Sequence, residues 1–247
     1  MNVATKLLCL EDSYRKECDS TILSVNGKEI VLDQSVFFAR GGGQPGDKGK
    51  ITSITNASGT SFDVADVYKK DGVVIHELSS EASGANESLK IGDKVKCEIN
   101  WDRRYKLMRM HTAAHTLAAT MHNELGVLIT GNQLEEDKTR FDFSMEDFDR
   151  AKFELCVAKA NEHLAKDVEL KIYSLPREEA MKIPGVVKLA GALPPSINVL
   201  RIVEIPGIDL QADGGTHVKN LKEVGKIEIL RLDNKGKDNR RIYFTLK

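Results

Sequence analysis

Cysteine is scarce and scattered: Cys9, Cys18, Cys97 and Cys156 are the four in 247 residues, and no two form a CxxC pair. Such spacing argues against a disulfide framework and fits a reducing compartment, the cytoplasm. Long apolar runs are lacking too. No stretch approaches the ~20 consecutive apolar residues of a membrane-spanning helix. The opening MNVATKLLCLEDSYRKE turns acidic almost at once, so neither a secretory leader nor a membrane partner is expected. Charge of one sign is also missing, since 36 basic against 37 acidic side chains leave a net charge of −1. A chain so balanced is not held on nucleic acid by bulk charge. DNA is therefore not an expected partner, and an RNA would have to be met by a local basic patch. No internal repeat or low-complexity tract stands out. What remains is 41% hydrophobic and 30% charged residues, an ordinary globular balance over a length that suits two domains.

Residues 20–100 read as short strands. Thr21–Val25 and Glu29–Leu32 are rich in β-formers and flank Asn26-Gly27, a strong hairpin signal. Val36–Arg40 follows, and then Gly41-Gly42-Gly43-Gln44-Pro45-Gly46-Asp47, whose glycines and proline exclude a regular helix and allow a close backbone approach. Lys50–Ile54, Ser61–Tyr68, Val73–Leu78 and Lys94–Ile99 complete the pattern of a small barrel, with Ser79–Ser88 as a polar loop. From Trp101 the period changes. Leu107, Met110, Ala114, Leu117, Ala118, Met121 and Leu125 recur at helical spacing over about Arg103–Leu125, and Gly126 follows as a stop. A turn at Gly131-Asn132 introduces strand-like Leu134–Phe143. A second helix spans about Glu146–Lys166, with Phe148, Phe153, Leu155, Val157, Ala160 and Leu164 as its apolar positions. Val168–Leu175 and Asn198–Ile205 read as strands. Pro176 suits the first turn of a short helix ending before Pro184. Lys226–Leu232 and Arg240–Leu246 form a hairpin across residues 233–236. The fold class expected is α+β: a β-barrel domain over 1–100 and an α+β domain over 101–247.

The chemistry centres on His111-Thr112-Ala113-Ala114-His115. Histidines four apart on a helix lie one turn apart on one face, within reach of one metal ion. A lone HxxxH is often two ordinary histidines, so a second stretch carries weight. Asp213-Gly214-Gly215-Thr216-His217 offers a carboxylate and an imidazole around two glycines, although a plain glycine turn with Asp as its usual residue would look the same. His122 returns to nearly the same face as His115 but lies ~10 Å further along the axis, too far to share the ion. A zincin protease is not expected, because Thr112 stands where those enzymes place a Glu. His111, His115, Asp213 and His217 together form a plausible zinc site, one ion per chain, in a metal-dependent hydrolase acting on a nucleic-acid-linked substrate.

HTAAH followed by GGTHV resembles the alanyl-tRNA editing proteins called AlaX, and is similar to the editing domain of alanyl-tRNA synthetase and the related domain of threonyl-tRNA synthetase. RGGGQPGDKG resembles the glycine segment of the longer AlaX forms, which carry a barrel before the editing domain. LEDSY and TGNQLEEDKTRFDFS are similar to the family as well, and the resemblance covers about residues 8–230. It implies an aminoacyl-tRNA hydrolase that removes a wrong amino acid, chiefly serine and also glycine, from tRNA(Ala), with a zinc-activated water as nucleophile. One departure stands out: the family pattern has a cysteine where this chain has Asp213. Asp is a harder donor, which opens the site to manganese or iron besides zinc. A degenerate, non-catalytic tRNA-binding protein is the alternative that this change raises, and a zinc hydrolase of small esters is a third reading.

By position, Gln44, Thr130 and Gln133 are candidates for holding the serine hydroxyl or the terminal ribose, with the Gly41–Gly46 loop expected as one wall of the amino-acid pocket. Arg103, Arg104, Lys106 and Arg109 before the metal helix, and Lys235, Lys237, Arg240 and Arg241 at the last hairpin, are candidates for tRNA phosphate contacts.

Overall fold

Alternation along Glu17–Asn26 turns Cys18, Ser20 and Ile22 inward and Glu17 and Asp19 outward, and so starts the wall of a barrel. In the computed structural model, which describes residues 5–55, 59–80, 89–184, 186 and 197–247, the chain divides into the units Met1–Tyr105 and Lys106–Lys247. The first opens with β1 (Lys6–Leu7), β2 (Glu17–Asn26), β3 (Glu29–Leu32) and β4 (Gln34–Ser35). It continues through β5 (Gly49–Ser53), β6 (Ser61–Lys70), β7 (Val73–Leu78) and β8 (Lys94–Ile99). Six of these close into a barrel in the order β2-β3-β7-β6-β5-β8, while β1 and β4 pair in parallel. The β2–β3 hairpin turns at Gly27 with φ 58°, as its sequence predicts. An equally strong signal, Asp71-Gly72, makes the β6–β7 turn with φ 51° and 81°. Ile22, Ile30, Leu32, Phe37, Ile51, Leu78 and Val95 fill the interior. Val36–Ala39 is buried without joining the ladder. Residues 81–88, most of the expected polar loop, lie outside the described residues.

The glycine segment is tied down within this unit. Gly41 and Gln44 exchange backbone bonds of 3.0 Å each, and a Cβ on Gly46 would lie 2.3 Å from the Val67 carbonyl oxygen. Gly46 is thus a glycine because a barrel strand passes against it. Next to it, Asp47 accepts from the Phe38 amide (2.7 Å) and from Arg104 Nε (2.9 Å). The remaining Arg104 nitrogens donate to the Ser13 and Val36 carbonyls at 2.9 Å and again to Asp47.

The second unit contains the course of α1 (Trp101–Leu125) from Lys106 onward. It adds β9 (Ile129–Leu134), β10 (Thr139–Ser144), α2 (Arg150–Leu164), β11 (Lys171–Pro176), α3 (Arg177–Ala180), β12 (Val199–Ile205), β13 (Asp209–Ala212), β14 (Ile227–Asn234) and β15 (Asn239–Leu246). One antiparallel sheet runs β14-β15-β10-β9 and another β11-β12-β13. The class is α+β, with the barrel ahead of it in sequence. Gly126 ends α1 at φ 68°. From Met110 to Met121 every residue of α1 is buried, not one stripe only. The threonines in that span are accommodated because Thr116 and Thr120 donate to the carbonyls four residues back, at 3.0 and 2.8 Å. No helix of the described residues is long and apolar enough to cross a membrane.

Several expected boundaries move. Gly131-Asn132 is no turn but part of β9: a Cβ on Gly131 would meet Asp142 Oδ2 at 3.1 Å, so the glycine serves a close strand approach, and the hairpin turns at residues 135–138. Helix α2 starts at Arg150, capped by Asp149 Oδ1 on the Ala151 and Lys152 amides. Phe148 therefore precedes the helix, 44% exposed, and Leu155 lies on its outer face, 53% exposed. Pro176 ends β11 and caps a helix of only four residues.

The Arg104–Asp47 pair yields a stability prediction. Both side chains are essentially without solvent contact, so Asp47→Ala leaves a buried guanidinium uncompensated. A loss of about 3–5 kcal/mol is expected in urea unfolding. A loss under about 1 kcal/mol, the scale of a surface pair, would show that the pair carries no such weight.

Candidate metal centre

Helix α1 presents His111 and His115 one turn apart, ring centroids 4.8 Å from each other. The segment after β13 returns to meet them. His217 stacks on His111 with centroids 4.3 Å apart and planes 25° apart, and meets His115 edge-on at 4.7 Å. Asp213 faces all three: Oδ1 lies 3.8 Å from His111 Nε2 and 4.0 Å from His115 Nε2, and Oδ2 lies 3.0 Å from His217 Nε2. One ligand atom from each of the four residues falls within 4.8 Å of all the others. Three imidazole nitrogens and one carboxylate oxygen make a donor set of the kind that holds a divalent ion such as zinc.

Backbone detail explains the approach. Asp213 sits one residue beyond β13, its amide bonded to the Arg201 carbonyl (3.0 Å) and its own carbonyl to Arg201 Nη1 (3.0 Å). The Gly215 amide donates to Asp213 Oδ2 at 2.6 Å. A Cβ on Gly215 would lie 2.1 Å from His111 Cε1, so any side chain there would occupy the imidazole's place. The glycine is required for space, since its φ is not in the left-handed region.

The outward nitrogens are engaged as well. His217 Nδ1 lies 3.1 Å from Thr112 Oγ1, which also accepts from the Val218 amide at 3.3 Å. His115 Nδ1 lies 3.0 Å from Asp209 Oδ2 and 2.6 Å from Gln211 Nε2, and Gln211 donates to Asp209 at 2.8 Å. Partners of this type fix which imidazole nitrogen faces a metal. Burial pushes His217 down to about 4 against the opposing hydrogen bond to Asp213, and pushes His111 well below its usual range. Burial alone would raise the Asp213 carboxyl, but the surrounding imidazoles outweigh it and hold it well below the usual carboxylate range. At neutral pH His111 and His217 are thus neutral and Asp213 ionised, the protonation state that metal ligation needs.

The other residues singled out in the sequence fare differently. His122 is apart from the cluster, its Nδ1 3.2 Å from the Val127 carbonyl oxygen. Thr130, at the bulge of β9, donates to Asn239 Oδ1 (3.1 Å), and Gln133 donates to Glu135 (3.2 Å); both are exposed in their sheet. Gln44 is buried in the first unit. Four of the basic candidates need correction as phosphate contacts. Arg104 is fully buried against Asp47; Arg103 is 9% exposed and donates to the Gly46 carbonyl; Arg109 holds the Val224 carbonyl; and Arg240, 4% exposed, staples the residue 234–239 turn. Backbone carbonyl oxygens, and for Arg104 a carboxylate, hold these guanidiniums within the fold. Arg241 forks onto Asp142, at 2.5 and 2.9 Å. Lys106, Lys235 and Lys237 remain exposed, Lys106 3.8 Å from Asp137 and Lys235 3.7 Å from Asp233. The sequence does not mark Arg201, Asp209 and Gln211 as part of the site, nor Thr112 as the partner of His217. For Asp209 and Gln211 a signal was there: 209, 211 and 213 alternate, as residues on one face of a strand do.

Comparison with known proteins agrees in both units. Residues 1–103 match the family described as tRNA synthetases class II (A), and residues 200–243 the threonyl and alanyl tRNA synthetase second additional domain. The chain is 45% identical over 244 residues to the alanyl-tRNA editing protein AlaX-M of Saccharolobus solfataricus, covering 98% of this chain and 99% of that one. It is equally 45% identical to AlaX-M of Methanosarcina barkeri, with the same coverage. The alanine–tRNA ligase of Methanococcus vannielii is 37% identical over 234 residues, 93% of this chain but 24% of the ligase. With a barrel followed by an α+β unit, and near-complete alignment at this identity, the chain belongs to the AlaX-M family of alanyl-tRNA editing proteins.

Proposed function

We propose that the chain is a trans-editing hydrolase that deacylates mischarged tRNA(Ala), chiefly Ser-tRNA(Ala) and also Gly-tRNA(Ala), in the cytoplasm. The observation that carries this reading is the convergence of His111, His115, Asp213 and His217, in a relative of proteins named for alanyl-tRNA editing. The residues present fit one zinc ion per chain. Such an ion, when bound, supplies Lewis acidity and a nucleophile activated at neutral pH.

The chain's own groups do the rest. One carboxylate is the only anionic ligand in the set, which leaves a divalent ion with net positive charge and so able to polarise an ester. An aminoacyl ester is already activated, so little further general acid–base assistance is needed. Serine is distinguished from alanine by its hydroxyl, because a site that donates or accepts one hydrogen bond loses it with alanine. Within the second unit, Thr130 and Gln133 are the candidates for that bond. Lys106, Lys235 and Lys237 are exposed and suit phosphate contact.

Metal binding is the first expectation. Elemental analysis of protein purified without chelator should give about one zinc per chain. Asp213→Cys should keep or raise the affinity and Asp213→Ala should lower it. Gly215→Ala should lower it also, by displacing His111. Equal affinity in all four proteins would remove these residues from the site.

Deacylation is the second. Wild type should release serine from Ser-tRNA(Ala) while leaving Ala-tRNA(Ala) largely intact, and His115→Ala should be slower by at least ~100-fold, the scale of losing one electrostatic stabiliser. Equal rates in the two proteins would show that the activity lies elsewhere. Binding of tRNA without release of serine by wild type would favour a non-catalytic binding protein.

A further inference from the structure

Behind His115 lies a second carboxyl group. The Asp209 side chain has no solvent exposure, and its Oδ2 is 3.0 Å from His115 Nδ1. Burying a carboxyl group is costly unless its oxygens are satisfied, and here Gln211 Nε2 donates to the same oxygen at 2.8 Å. The local fold makes the arrangement inevitable. Strand β13 places Asp209 and Gln211 on one face by its period of two, and the next residue in that series is Asp213 itself. One strand face therefore supplies a ligand to the cluster and the support behind a different ligand.

The geometry points to Asp209, steadied by Gln211, as a positioning residue for His115. With Nδ1–H donated outward to Asp209, His115 keeps its Nε2 lone pair aimed at the cluster, where Asp213 Oδ1 lies 4.0 Å away. A carboxyl acceptor also makes the imidazole a stronger donor to a metal than a neutral acceptor does. His217, by contrast, has the Thr112 hydroxyl in the corresponding place, so the two imidazoles are supported unequally. His115 is the better donor of the two, and its hold on the ion depends on a residue that never touches the ion.

This rests on the metal reading, and one experiment separates the two. Zinc affinity is measured by competition with a chromophoric chelator for wild type, Asp209→Ala, Asp209→Asn and Gln211→Ala, with thermal unfolding of each metal-free protein alongside. Wild type should bind one zinc, and Asp209→Ala should bind it ~10–100-fold more weakly. Asp209→Asn, whose carbonyl still accepts from Nδ1–H, should fall between them, and Gln211→Ala should show a smaller loss. A merely structural role would lower unfolding temperatures without ordering the affinities in this way. Nitrogen-15 imidazole spectra of the zinc-loaded proteins should show the Nδ1-bound proton of His115 kept in Asp209→Asn. If Asp209→Ala fails to fold, Asp209→Asn and Gln211→Ala decide by the same ordering. Failure of wild type to bind zinc would overturn the metal reading itself. Binding by wild type with unchanged affinity in the folded variants would overturn the role of Asp209 alone.

Discussion

Asp213 is carried into a setting where burial alone would drive its carboxyl neutral, and the imidazoles of His111, His217 and His115 keep it ionised instead. Much of the second unit serves that one charge. Helix α1 supplies two imidazoles at a spacing that puts both on one face, one turn apart. Strands β12 and β13 fix the Asp213 backbone through Arg201, and Gly215 leaves the space that His111 fills. Thr112 and Asp209 turn the outer nitrogens of two imidazoles away from the centre. Three imidazoles converging on a buried carboxylate are a donor set that gains most when a cation joins them.

The first unit solves the same physical problem in another way. There the buried carboxylate of Asp47 is met by a guanidinium with all its nitrogens in use. A carboxylate–guanidinium pair satisfies itself and leaves no valence for a ligand. The cluster around Asp213 instead has three imidazoles converging on one carboxylate, with the Arg201 guanidinium 4.0 Å from Oδ2. The contrast separates a charge kept for the fold from a charge kept for chemistry.

Much of this was legible in the sequence. The HxxxH pair, the Asn26-Gly27 hairpin, the Gly126 stop and the barrel's alternating strands follow from local periodicity and turn chemistry, which act over a few residues. The remainder depends on partners far along the chain. Nothing near Arg104 tells that its guanidinium is bound to a carboxylate 57 residues away, and by sequence alone it is one of a basic cluster. Gly131 reads as a turn in sequence because the carboxylate it makes room for lies on a neighbouring strand. Two adjacent glycines signal a tight path, but only the fold shows that the close approach at Gly215 is to the ring of His111. Asp209 and Gln211 share a face with Asp213, a pattern visible in the residues, but only the fold turns that face toward His115.

The central claim is that a single cation is held by three imidazoles and the Asp213 carboxylate. X-ray absorption at the zinc edge of the zinc-loaded wild-type protein tests it most directly. The account predicts about four nitrogen or oxygen neighbours at ~2.0–2.2 Å, multiple scattering from three imidazoles, and no sulfur. A sulfur neighbour at ~2.3 Å, or fewer than three imidazoles, would contradict it.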